Sequence, residues 1–263
     1  MINLLKADLY RLIKSKMTYI LLIVCFGVSL FTLGVDVVMK VLMKTVQEET
    51  GEPIPELFTG KSIMFGCFSL SSDYGLLLAI FAGVFTLLDI RHGIIRNKVM
   101  IGESKTFIYL SHLITSMVLC VGAIIFSFII LAIGANLIFG YGYQFDSKEL
   151  VEFIKGFIIG IESFIFLASI STFFSLITKS TPLTIIFTIL ITIGLVVISS
   201  LSNMAPESLK YLFYLVPSYA TIVVTGGGIL SLEVFWCGLI SLLIFTALIT
   251  VLGIILFNKI DLK

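Results

Sequence analysis

Apolar residues in this chain gather into long runs separated by short charged or turn-rich stretches. A bilayer core of about 30 Å takes about 20 helical residues. Six runs meet that length: Met17 to Met39, Ser69 to Leu88, Phe107 to Phe139, Val151 to Thr178, Pro182 to Leu201 and Glu233 to Phe257. The pattern predicts an all-α polytopic membrane protein with six transmembrane helices, forming one domain over 1–263. The third run outlasts the bilayer, so it must tilt, break near Gly134 or project into water. Residues 1–16 follow a different period. Ile2, Leu5, Leu9, Leu12 and Ile13 fall on one helical face and Asn3, Ala7, Arg11 and Lys14 opposite, which predicts an amphipathic helix lying on the membrane surface. Leu4 is expected on the wet side, with Asp8 at its edge and within i,i+3 reach of Arg11.

Three connections carry further information. Residues 40–68 contain "QEETGEPIPE", acidic and turn-rich, and predict an outer loop with a short helix at most. Residues 202–232 are too apolar for a free loop yet are cut by Pro206, Pro217 and Gly226 to Gly228, which predicts outer re-entrant helices. The connection 89–106 contains "RHGIIRNKVMIGESK". About two to eight residues suffice between antiparallel helices, and this connection uses about eighteen. Ile90 to Ile101 predicts about three helical turns, with Gly102 as a left-handed stop and Ser104 as the cap of the next helix.

Its cations Arg91, Arg96, Lys98 and Lys105 alternate with Ile94, Ile95, Val99, Met100 and Ile101. One reading is an interfacial helix snorkelling its cations to anionic lipid, at about 1 kcal/mol each. The other is a handle for a soluble partner, which accounts for the turn and hydrogen-bonding choices Asn97, Gly102, Glu103 and Ser104. The N-terminal helix admits the same pair of readings, a topology anchor or a partner contact through Leu5, Leu9, Arg11 and Leu12.

The chain is 59% hydrophobic and 13% charged, against about 25% charged in soluble domains. Its net charge of +1 says nothing of nucleic acid, because it hides an asymmetry. Lys and Arg in short loops resist translocation. Placing both termini in the cytoplasm puts eleven of the 17 cations and four of the 16 acids on that side. The outer side takes six cations and eleven acids, which leaves Glu162 near mid-membrane. The first apolar run lacks a small-residue cleavage site and is expected to be retained rather than removed as a signal peptide. Cys25, Cys67, Cys120 and Cys237 have no CxxC spacing, and His92 and His112 lie far apart, so neither a disulfide nor a metal site is indicated.

The order of amphipathic helix, span, outer loop and span, followed by "GIIRNKVMIGESKTFIYLS", resembles the membrane subunits of ABC-2 type exporters. The likeness is nearest to those of low-GC Gram-positive bacteria that handle peptides and lantibiotics. It covers the whole chain in layout and Gly93 to Ser111 at residue level. The resemblance implies a multi-pass permease of a bacterial cytoplasmic membrane, paired with a second copy or a paralogue. Each permease would dock on a separate ABC ATPase subunit that binds ATP and Mg. The implied coupling helix offers Arg91, His92, Ile95, Arg96, Asn97, Lys98, Ile101, Glu103 and Lys105, with the N-terminal helix beside it. By the same analogy spans two and five line the pathway, presenting Tyr74, Phe81, Phe85, Phe187, Thr188 and Thr192. The implied cargo is an amphipathic, antimicrobial or toxin-like peptide, with a lipid or hydrophobic drug as the alternative.

An ATP site would need GxxxxGK[ST], and Gly102 to Thr106 lack its core, so ATP hydrolysis is expected on a partner. The GxSG run of a rhomboid-like protease, HExxH and paired intramembrane Asp are missing too, which argues against an enzyme. Glu162, in "IGIESFIF", is the one carboxylate near mid-membrane; an ionised side chain there costs on the order of 2.5 to 3.5 kcal/mol. It is expected either protonated and bonded to Ser or Thr of a neighbouring span, or working in an ion-coupled secondary transporter. The six spans show no inverted repeat to support the latter.

Overall fold

The computed structural model describes residues 2–50, 59–70, 72–142, 146–204, 206–226 and 228–260. Among them there is no strand, and six helices are long and apolar enough to cross a membrane, the layout of a multi-pass membrane protein. In chain order these are α2 (Lys16–Thr50), α4 (Asp73–Arg91), α6 (Lys105–Phe139), α7 (Ser147–Thr178), α8 (Thr181–Ser200) and α11 (Leu232–Lys259). Shorter helices lie between and before them: α1 (Ile2–Lys14), α3 (Gly60–Gly66), α5 (Ile94–Met100), α9 (Glu207–Phe213) and α10 (Tyr219–Thr225).

Caps set several of the starts. Ser72, Ser104 and Ser231 each accept the backbone N–H three residues on, and Thr59 with Ser62 forms a reciprocal capping box at α3. Pro182 stands in the first turn of α8, where its missing N–H has no partner to lose.

Several features differ from the sequence expectation, among them the start of α7 at Ser147 rather than Val151. α2 continues to Thr50 instead of stopping at Met39, so the expected outer loop 40–68 begins with helix. No Gly or Pro interrupts the chain between Gly34 and Gly51, and Lys40 is held over the Phe139 ring, 4.6 Å from its centroid. The core of that loop, 51–58, lies outside the described residues. α4 starts at Asp73 rather than Ser69 because Ser72 caps it and donates back to the Ser69 carbonyl. α6 does not break at Gly134, which instead lets Leu33 of α2 approach closely. The coupling element is two turns rather than three, because Gly93 adopts φ +68° and separates α5 from α4.

α7 is the central helix, packed against α4, α6, α8 and α11. Apolar side chains gain little by leaving lipid for one another, so membrane helices associate through small residues and interhelical hydrogen bonds. The centre follows that rule. Ser171 donates to the Ala79 carbonyl of α4 at 3.0 Å, Thr86 and Ser116 join α4 to α6 at 3.3 Å, and Tyr74 donates to Ser29 of α2 at 2.9 Å. A Cβ on Gly83 would stand 2.8 Å from Thr184 of α8.

In the 202–232 segment α9 and α10 are short helices, and α10 is buried against α3, α7 and α8. Ser241 donates to the Leu215 carbonyl of the segment's irregular backbone, and Ser218 ties the segment to the Leu195 carbonyl of α8.

Candidate functional site at the α5 end

Gly93 and Gly102, both at positive φ, bracket α5 and let it turn aside from α4 and α6. Ile95 is 2% exposed and packs with Ile108, Tyr109, Leu113, Leu176 and Phe257, and Leu4 of α1 rests on the same cluster. One turn later Lys98 enters the protein beside it. Its ammonium donates to both Asp8 oxygens at 2.8 Å, and Ser111 donates to Asp8 at 2.6 Å. Burial works to raise the Asp8 carboxyl, but the Lys98 and Ser111 hydrogen bonds and the Lys98 charge outweigh it, leaving Asp8 below the ordinary carboxylate range.

Arg11, one turn beyond Asp8, donates to Asp89 at the end of α4 and lies 5.7 Å over the Phe85 ring. His112 Nδ1 stands 3.3 Å from Asp89, while its buried Nε2 has no hydrogen-bond partner among the described residues. Two carboxylates, an ammonium and a guanidinium thus neutralise one another beneath α5. A buried ion set of this kind contributes little net stability but fixes geometry, since removing one member strands another. Around it, Lys105 donates to the Asn258 and Ile260 carbonyls at the end of α11, and Arg91 to Thr181 at the start of α8.

The sequence-predicted coupling residues therefore divide. Arg91, His92, Arg96, Asn97 and Ile101 are exposed, with Ile101 at 83%, whereas Ile95 and Lys98 face inward and Glu103 and Lys105 are half-buried. On α1, Leu12 is buried, Leu5, Leu9 and Arg11 are partly so, and Ile13 is exposed. The expected wet placement of Leu4 and Asp8 is wrong. Leu4, Asp8, Arg11 and Leu12 form a second face turned to the bundle, and the spacing of apolar residues alone misses it because its polar members are paired inside.

The proposed pathway residues differ in exposure. Tyr74, Phe85, Thr188 and Thr192 are buried, and the two threonines donate to their own helix. Phe81 is half-buried, while Phe187 is exposed and stacks on Phe174 at 5.2 Å. Glu162 is half-buried midway along α7, and its buried Oε1 has no hydrogen-bond partner among the described residues. The expected bond from a neighbouring hydroxyl is not made to that oxygen.

Residues 61–263 match the family model described as "Protein of unknown function (DUF2705)". The chain belongs to the DUF2705 family. The match takes in Asp89, Lys98, Ser111 and His112, while Asp8 and Arg11 precede it. No curated protein matches this DUF2705 chain.

Proposed function

We propose that this chain is the permease subunit of an ATP-driven exporter of the ABC-2 type, in a bacterial cytoplasmic membrane with both termini inside. The observation that carries the reading is the two-sided character of α5. Its inner side is locked by Ile95 and Lys98, while Arg96, Asn97, Met100 and Ile101 stand exposed. A helix that merely rests on lipid needs no rigid tie to the bundle. A lever does, because force applied to its outer face must reach α4 and α6 rather than bend a loop. The cations Arg91, Arg96, Lys105 and Lys179 at this end support a cytoplasmic placement. A separate ABC ATPase subunit, carrying ATP and Mg, grips the exposed face and moves α5 with α4 and α6. The permease works with a second copy or paralogue. The cargo is an amphipathic peptide, with a lipid or hydrophobic drug as the alternative.

Arg96→Glu with Ile101→Asp alters only exposed side chains. Affinity capture of the tagged chain from its native membranes is expected to lose the ATPase polypeptide while insertion is unchanged. Undiminished recovery overturns the reading. The unpartnered Oε1 of Glu162 favours a second reading, an ion-coupled carrier. Glu162→Gln then abolishes transport, whereas in the ATP-driven exporter most transport survives.

A further inference from the structure

At the end of the bundle remote from α5, a cavity of about 300 Å³ opens between α2, α3 and the start of α4. Two carboxylates stand on its wall: Asp36, half-buried on α2, and Asp73, exposed at the first position of α4. Neither has an ion-pair partner among the described residues. Lys40, one turn from Asp36, is held over Phe139 instead.

The hydroxyls of the wall have already spent their protons. Thr32 donates to the Ser29 carbonyl, Ser62 to that of Thr59, Ser72 to that of Ser69, and Tyr74 to the Ser29 hydroxyl. Ser62 and Ser72 also accept cap N–H groups, so what the wall offers an occupant is chiefly its two carboxylates. Such a wall suits a donor-rich cation and repels an anion.

The cavity is continuous with an apolar groove of about 670 Å³ on the outer face of α2. Leu30, Gly34, Val38 and Met39 line the groove, and Phe31 and Val35 border both spaces. At Gly34 no atom lies within 4 Å of where a Cβ would stand, so the groove floor is open. An apolar slot leading to an acidic pocket has the shape and polarity of one class of molecule.

We propose that this groove and cavity bind a cationic amphiphile, its apolar chain along α2 and its ammonium or guanidinium group between Asp36 and Asp73. The acid excess expected on this side, eleven acids against six cations, raises the local concentration of such a ligand. As a cargo site it rests on the transport reading, but its test uses the full chain alone, without nucleotide or ATPase, so either can fail while the other stands.

The full chain in discs of zwitterionic lipid is titrated with a fluorescent alkylammonium probe, with uptake by empty discs subtracted. Matched alkyl sulfonate and alkyl alcohol probes serve as controls. Saturable binding of the ammonium is expected, weakened about tenfold by Asp36→Asn combined with Asp73→Asn and retained in Asp36→Glu. Gly34→Phe fills the groove and is expected to abolish ammonium binding with both carboxylates intact. Unaltered elution and thermal unfolding establish that the variants are folded. Uptake no greater than that of empty discs, equal affinity for the sulfonate, or indifference to both Asp substitutions overturns the proposal. So does Gly34→Cys cross-linking two chains in the native membrane with the probe excluded, since a second copy then fills the groove.

Discussion

The two ends of the bundle are held together by opposite means. Beneath α5, four ions from three helices meet: Asp8 and Arg11 of α1, Asp89 of α4 and Lys98 of α5. At the other end five rings pack together, Phe65, Phe68, Phe128, Phe153 and Phe157, with adjacent centroids between 5.1 and 6.4 Å. Ion contacts are directional and are made or lost as discrete events, and their desolvation cancels much of their attraction. Aromatic packing is less directional, and each offset or edge-to-face ring pair adds about 0.5–1.5 kcal/mol of its own. The α5 end is held by bonds that can be exchanged as units, whereas separating the helices at the aromatic end breaks several ring contacts at once. A lever at the first and a fulcrum at the second is the division of labour that the proposed coupling needs.

The strongest way to break this contrast is Lys98→Met. It leaves the Asp8 carboxylate 2% exposed with Ser111 as its nearest donor and only Arg11, 3.8 Å away, as counter-ion, and stranding a buried charge costs up to about 3–5 kcal/mol. The expected result is a large fall in thermal stability, with α1 opened to protease. Adding Asp8→Leu removes the stranded charge and is expected to restore most of the loss. A single variant as stable as the parent, or a double variant no better than the single, would show that the ions do not hold this end.

The six spans were legible because only an apolar run of about 20 residues satisfies a bilayer. Their ends were less so, since helix continues past the bilayer wherever nothing breaks it, as Val41, Leu42 and Met43 carry α2 onward. The ion network was largely hidden. The helical spacing of apolar residues locates the greasy face of α1 but not the mixed face of Leu4, Asp8, Arg11 and Leu12, whose partners Asp89 and Ser111 lie 78 and 103 residues away. Arg96 and Lys98 look alike in sequence, yet two residues on a helix are about 200° apart, so one is exposed and the other half-buried against Asp8. Neither unpaired carboxylate at the far cavity stood out, because pairing is a property of space.

The aromatic end can be broken from within by Gly160→Leu. Phe68 lies directly against Gly160, leaving no room for a side chain. Overpacking of this kind costs about 1–3 kcal/mol. Thermal stability is expected to fall by less than in Lys98→Met, and protease is expected to find α1 still docked. Release of α1 by this change would mean that the two ends are not mechanically separate.

Acid should sharpen the comparison with the smallest disturbance. A carboxyl whose pKa is lowered in the folded state contributes stability that is fully present above its unfolded value and lost as pH falls through the folded one. Asp8, facing Lys98, Ser111, Arg11 and the nearby His112, is such a group. The distance between spin labels at Asn3→Cys and Asn97→Cys, both exposed sites, is therefore expected to stay constant from pH 8 to pH 5 and to broaden only below about pH 4. The aromatic end has no ionisable member in its ring cluster and should hold through the same range. Broadening between pH 7 and pH 5 would assign the release of α1 to a group other than Asp8, and simultaneous loss of the far end would dissolve the distinction between lever and fulcrum.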